Sequence, residues 1–176
     1  MLSLKFIILL TGAVIFSTFA TGTLISPAYS ELKEFTASLS GHQEVPPNNS
    51  TGKGFAWLRP TGDEISYKII TNGIDKITTI HIHGGRPADY GREVIVDLKI
   101  EKKEGQLNGV VESGEITAYD LTGNLHGKSI SDLVSEIQGG NVYIDIHTDS
   151  YPNGEIRGII SNKNDKLSDD PISMTK

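Results

Sequence analysis

The sequence predicts an all-β fold, an antiparallel Greek-key-like β-sandwich with one short crossover helix. Three observations carry this: short segments alternate apolar and polar residues at the two-residue period of a strand, glycine-rich turns separate them, and one run alone has helical spacing with capping residues at both ends. In order, the strand segments are Phe35-Thr36-Ala37-Ser38-Leu39, Phe55-Ala56-Trp57-Leu58 and Ile65-Ser66-Tyr67-Lys68-Ile69. The stretch Thr79-Ile80-His81-Ile82-His83-Gly84 follows, then Val94 to Ile100 and Gly109 to Glu112. Val142-Tyr143-Ile144-Asp145-Ile146-His147 and Ile156 to Ile160 close the series, joined by the turn sequence Asp149-Ser150-Tyr151-Pro152-Asn153-Gly154. The helix is predicted over Ser129 to Gln138, where Ser129 stands three residues before Asp132, Leu133 and Ile137 share a face, and Gly139-Gly140 is a stop.

The ends read differently from the middle. Residues 1–30 have one charge, Lys5, and an apolar run from Phe6 to Phe19 that leads to the small-x-small sequence Ala28-Tyr29-Ser30. That pattern predicts a secretory signal peptide cut after Ser30. The competing reading is an N-terminal membrane anchor, since the charge-free stretch is long enough to span roughly 30 Å of hydrocarbon. Both put the domain outside the cytoplasm, secreted or at the cell surface. Residues 161–176 are rich in Asn, Lys, Asp and Ser and predict a disordered polar tail, which leaves residues 31–160 as the folded domain.

Composition narrows the chemistry. There is no cysteine, which removes disulfide scaffolds, zinc ribbons and cysteine-ligated copper centres. The net charge of −6 becomes −7 once Lys5 is lost with the leader, and Lys102-Lys103 is the only adjacent basic pair. Nucleic acid is therefore not an expected partner, and contact with a membrane is expected only through the N-terminal segment. No Gly-x-Ser-x-Gly, Walker loop or dinucleotide fingerprint occurs.

The histidines carry the remaining signal. The strand period puts His81 and His83 on one face while Ile80 and Ile82 point to the other, and His147 has the same relation to Ile144 and Ile146. Neutral imidazole is the commonest nitrogen ligand of copper and zinc, and two ligands two apart on a strand are pre-positioned. His42 is the candidate to complete a four-nitrogen set. Asp145 shares the His147 face and is the best carboxylate candidate, as a ligand or as an acceptor behind one. Glu44 and Glu155 flank the histidine motifs and either orient imidazoles or staple loops by pairing with Arg157 or Arg86. His126 stands in a loop before the helix.

These residues resemble a known pattern. Leu39-Ser40-Gly41-His42-Gln43-Glu44-Val45-Pro46-Pro47, Ile80-His81-Ile82-His83-Gly84, Tyr143-Ile144-Asp145-Ile146-His147-Thr148 and Tyr151-Pro152-Asn153-Gly154-Glu155-Ile156-Arg157-Gly158 look like the chordin-type (CHRD) domain. The resemblance implies an extracellular β-sandwich and does not supply an activity. His42 stands where the family more often has a small or amide residue, and Leu125-His126-Gly127 usually lacks a histidine. A second, local resemblance joins the His-x-His strand and a distant third histidine to the copper site of Cu/Zn superoxide dismutases, without their disulfide cysteines.

The expectation is thus an exported domain that binds copper, with zinc as the alternative, through His42, His81, His83 and His147. If it is an enzyme, it is a superoxide dismutase in which Arg86 and Arg157 attract the anion. The competing class is a non-catalytic extracellular binding or adhesion module whose histidines are structural.

Overall fold

The computed structural model describes residues 33–85 and 93–163. Each alternating segment becomes a strand: β1 (Phe35–Ser40), β2 (Lys53–Thr61), β3 (Glu64–Asp75), β4 (Ile77–Gly84), β5 (Val94–Asp97), β6 (Gln106–Thr117), β7 (Val142–Thr148) and β8 (Ile156–Ile159), with a two-residue β9 (Ser161–Asn162). All pairings are antiparallel, in the order β5-β4-β7-β8-β1-β2-β3-β6, and β9 pairs with β1. The fold is all-β with one helix, as expected.

The predicted sandwich is made by folding one continuous sheet. β8 and β1 share a single paired position, Arg157 with Ser40, so the ladder divides there into the halves β5-β4-β7-β8 and β1-β2-β3-β6. The chain passes from one half to the other at Lys76, one residue between β3 and β4, which takes a left-handed conformation (φ 51°). Both halves point alternate residues into one core: Phe35, Ala37, Leu39, Ala56, Leu58, Ile65 and Ile69 from one, Ile80, Ile82, Ile144, Ile146 and Ile156 from the other. After β6 the chain runs along β5. Thr122 donates its N–H to Ile95 O (2.9 Å) and its hydroxyl to Val94 O (2.9 Å), so the β5 edge is covered.

Helix α1 (Ile130–Gln138) lies on this β6-to-β7 crossover and buries Ile130, Leu133 and Ile137. Its first turn is a reciprocal capping box between Ser129 and Asp132, the arrangement the spacing predicts. The polar composition after Ile160 does not end the sheet: Ser161 and Asn162 pair with Thr36 and Phe35, and Lys163 bonds Glu34. A ladder needs backbone groups, not apolar side chains, and composition misses that. Residues 1–32, which include the expected signal peptide or anchor, and residues 164–176, most of the expected tail, lie outside the described residues. Among the described residues no helix is long and apolar enough to cross a membrane.

Packing at the joint is close. A Cβ on Gly158 would lie 2.5 Å from the Ser38 carbonyl oxygen, which belongs to the backbone of β1 and cannot swing aside. Gly158→Ala should therefore destabilise the domain by roughly 1–3 kcal/mol in chemical denaturation. An unchanged midpoint would mean that β8 can move off β1 freely.

Candidate metal site

Alternation in β4 and β7 sends isoleucines to the core and His81, His83, Tyr143, Asp145 and His147 to the opposite face. Pairing between these two strands sets His81 directly opposite Asp145, with His83 and His147 one step along the face on either side. One ligating atom from each of His81, His83, Asp145 and His147 lies within 4.8 Å of the others. The group is mostly sheltered: side-chain exposure is 21% for His81, 14% for His147, 9% for His83 and 3% for Asp145.

Asp145 is the centre of the group. Its Oδ1 stands 3.1 Å from His83 Nε2 and 3.2 Å from His147 Nε2. Burial opposes its ionisation, but hydrogen bonds and charge from His147 and His83 prevail and hold the carboxyl below the usual carboxylate range. His147 moves the opposite way: burial works against its charged form, yet Asp145 outweighs burial and raises its pKa. His81 is lowered, first by burial and then by the His147 charge. The paired position on β5, Asp97, lies 4.0 Å from His81 Nε2.

The His147 ring has a defined tautomer. Its Nδ1 is 3.0 Å from Pro152 O, an acceptor only, so Nδ1 carries the hydrogen. A neutral His147 therefore aims the Nε2 lone pair at an anionic carboxylate oxygen. Either a second proton or a shared cation must sit between them. Imidazoles that bind metals through one nitrogen commonly donate the other N–H to a carbonyl, as here.

Three of the four expected histidines come together and His42 stands apart. His42 is exposed on the turn Gly41–Gln43 and lines a groove of about 360 Å³ with Gln43, Glu44, Val45, Pro47, Arg157 and Ile159, outside the group of four. The turn leaves the His42 side chain exposed, and the fourth member of the group is Asp145. His126 is exposed and also outside the group. Arg157 is not placed to attract an anion: it is buried, its Nε lies 3.2 Å from Glu44 Oε2, and its guanidinium sits 4.1 Å over the Tyr143 ring. Arg86 lies outside the described residues.

The two acids flanking the motifs are loop staples. Glu44 takes Arg157, and burial pushes its carboxyl up to about 7 against the Arg157 charge. Glu155 accepts hydroxyl hydrogen bonds from Ser50 (2.7 Å) and Thr148 (2.6 Å). Sequence reasoning missed Asp97 and the ring of Tyr143, which stacks on His83 with centroids 4.8 Å apart and planes 3° apart. Tyr143 stands two residues before Asp145 on the same strand face, which was the available signal.

Fold and cluster together define a β-sandwich module with a sheltered histidine–carboxylate group. The chain belongs to the CHRD domain family, which matches residues 35–160 and so takes in the sheet from β1 to β8. Searches among curated proteins and among solved structures found no match.

Proposed function

We propose that this chain is an exported CHRD-domain protein that binds one copper ion through His81, His83, Asp145 and His147. The observation that supports it most is Asp145 Oδ1 facing two imidazole Nε2 atoms while His147 Nδ1 is already committed to Pro152. Three imidazoles favour copper over the other divalent first-row ions, with zinc next. Bound copper would supply one-electron chemistry, and superoxide dismutation is the reaction this reading assigns to it. The protein's part is to shelter the ligands on two strands, fix the His147 tautomer and leave His81 and His147 as the more open side of the group.

Copper titration of the purified chain checks the site. The expected result is one ion per chain, lost in the double variant His81→Ala/His83→Ala; equal uptake by both proteins would sink the reading. A copper-loaded chain that leaves superoxide untouched is a carrier or store, not a dismutase.

Acid should release the metal. Binding needs neutral imidazoles, and His147 holds its proton to a higher pH than an ordinary histidine, whereas His81 loses its proton more easily. Proton competition therefore begins with His147, above its usual value of about 6.5. Apparent affinity should weaken by roughly tenfold per pH unit below that onset, read by competition with a chelator of known affinity. An affinity constant from pH 8 to pH 5 would exclude these imidazoles as ligands.

A further inference from the structure

Behind the four ligating groups lies a chain of contacts that reaches both sheltered imidazoles from one carboxyl. Strand order places His83 on β4 and Arg157 on β8 to either side of Tyr143 on β7. The His83 ring lies flat against Tyr143, and the Arg157 guanidinium lies over the same ring at 4.1 Å. Glu44 Oε2 holds that guanidinium at Nε, 3.2 Å away. The Glu44 carboxyl also rests on Gly154, at the position a Cβ would occupy: the ideal Cβ would be 2.7 Å from Oε1 and 3.0 Å from Oε2. Gly154 closes the turn that holds Pro152, since its N–H donates to Tyr151 O (3.1 Å), and Pro152 O takes the His147 Nδ1 hydrogen. Only glycine, with φ 117° and no side chain, lets the carboxyl approach so near.

Stability alone does not call for such a pair. Buried ion pairs are often replaced by apolar residues without loss, because desolvation costs about as much as the attraction returns. A planar guanidinium stacked on an aromatic ring and held by a carboxylate does fix an orientation. We propose that Glu44 and Arg157 act as a positioning pair for the metal site, setting the His83 ring through Tyr143 and the His147 ring through the Pro152 turn. This rests on the metal reading of the four ligands. Neither residue touches the metal position; both act through others.

The test compares the full chain with Glu44→Gln, Arg157→Lys and Ser50→Ala. Glu44→Gln keeps shape and loses charge, while Arg157→Lys keeps charge and loses the planar fork. Ser50→Ala removes a hydrogen bond to Glu155 and one from Gly52 in the adjacent network, whose bonds meet the turn at Thr148 and Tyr151 and not at the Pro152 carbonyl that holds His147. Two quantities are read: the copper(II) dissociation constant by chelator competition, and the ring ¹⁵N shifts of His83 and His147 in the metal-free chain. The first two variants should bind copper about 10-fold more weakly and show a mixed His147 tautomer, with Ser50→Ala unchanged in both readouts. Unchanged affinity and ring shifts in Glu44→Gln and Arg157→Lys would overturn the proposal, as would an equal loss in Ser50→Ala, which would mark general loosening. Absence of copper uptake by the unaltered chain would sink the metal reading, and the ring shifts would still decide whether the pair sets the imidazoles.

Discussion

Asp145→Asn should weaken copper binding by at least about 100-fold, more than the 10- to 100-fold that removal of a supporting group behind a ligand produces. The variant keeps the shape of the side chain and loses its charge, so the effect reports chemistry and not a cavity. In the metal-free chain the same carboxylate is the acceptor for two imidazoles, and its loss should destabilise the fold by about 3 kcal/mol at the most sensitive pH. The sign follows from the two shifts. Asp145 is held below its ordinary value, so its contribution is present above about pH 3.9 and is lost as pH falls through the depressed folded value. His147 is raised, so its contribution is full below about pH 6.5 and is lost as pH rises through the folded value. The stability difference between the unaltered chain and the variant should therefore peak between about pH 4 and 6.5 and shrink on both sides. Denaturation of metal-free proteins across that range measures it. A difference that is flat with pH would show that Asp145 acts through packing and not through its imidazole partners.

Most of the fold and three of the four members of the group, with Asp145 as the leading carboxylate, could be read from the order of residues. Alternation located every long strand because the apolar residues of both halves face one shared core, so Ile80 and Ile82 declare the core and His81 and His83 the opposite side. The same rule joined His147 and Asp145 to one strand face. Which strands become neighbours is not written in alternation. β4 lies beside β7, more than fifty residues away, and only that pairing brings Asp145 opposite His81 and leaves His42 outside. His42 is chosen from sequence as a fourth imidazole, and residue type alone does not say that the turn carrying it lies apart from the β4–β7 face. For Arg157 the sequence allows both attraction of an anion and pairing with Glu44, and the structure has the pairing, because the outer face of β8 is covered by the segment around Glu44. A sandwich is expected from the alternation, but the point where the chain passes between its halves is not, because a single residue, Lys76, makes the turn and no glycine or proline marks it.

Arg157→Leu should have the largest effect on stability, and the effect should depend on pH. Arg157 and Glu44 are both almost fully buried, at 3% and 4% exposure, and removing one partner of a buried pair leaves the other charge uncompensated. At pH 8 the expected loss is about 3–5 kcal/mol. Glu44 already binds its proton more tightly in the folded chain, with its pKa pushed up to about 7 by burial despite the lowering pull of Arg157. A raised carboxyl pKa favours the folded state while the proton is on, and that advantage disappears as pH rises from its ordinary value of 4.5 through the folded value. Without Arg157 only His147 and a backbone hydrogen bond from Val45 oppose burial, and the folded pKa moves higher still. At pH 5 Glu44 is a neutral acid in both proteins, so the substitution strands no carboxylate there, and what remains is the lost contact with the Tyr143 ring and the Arg157 stem, about 1–2 kcal/mol. Adding Glu44→Gln to Arg157→Leu removes the stranded charge directly and should recover most of the loss at pH 8 while changing little at pH 5. Denaturant midpoints of the single and double variants at the two pH values make the comparison. A loss equal at both, and unrelieved by Glu44→Gln, would assign the role of Arg157 to packing and leave Glu44 with no electrostatic part in the fold.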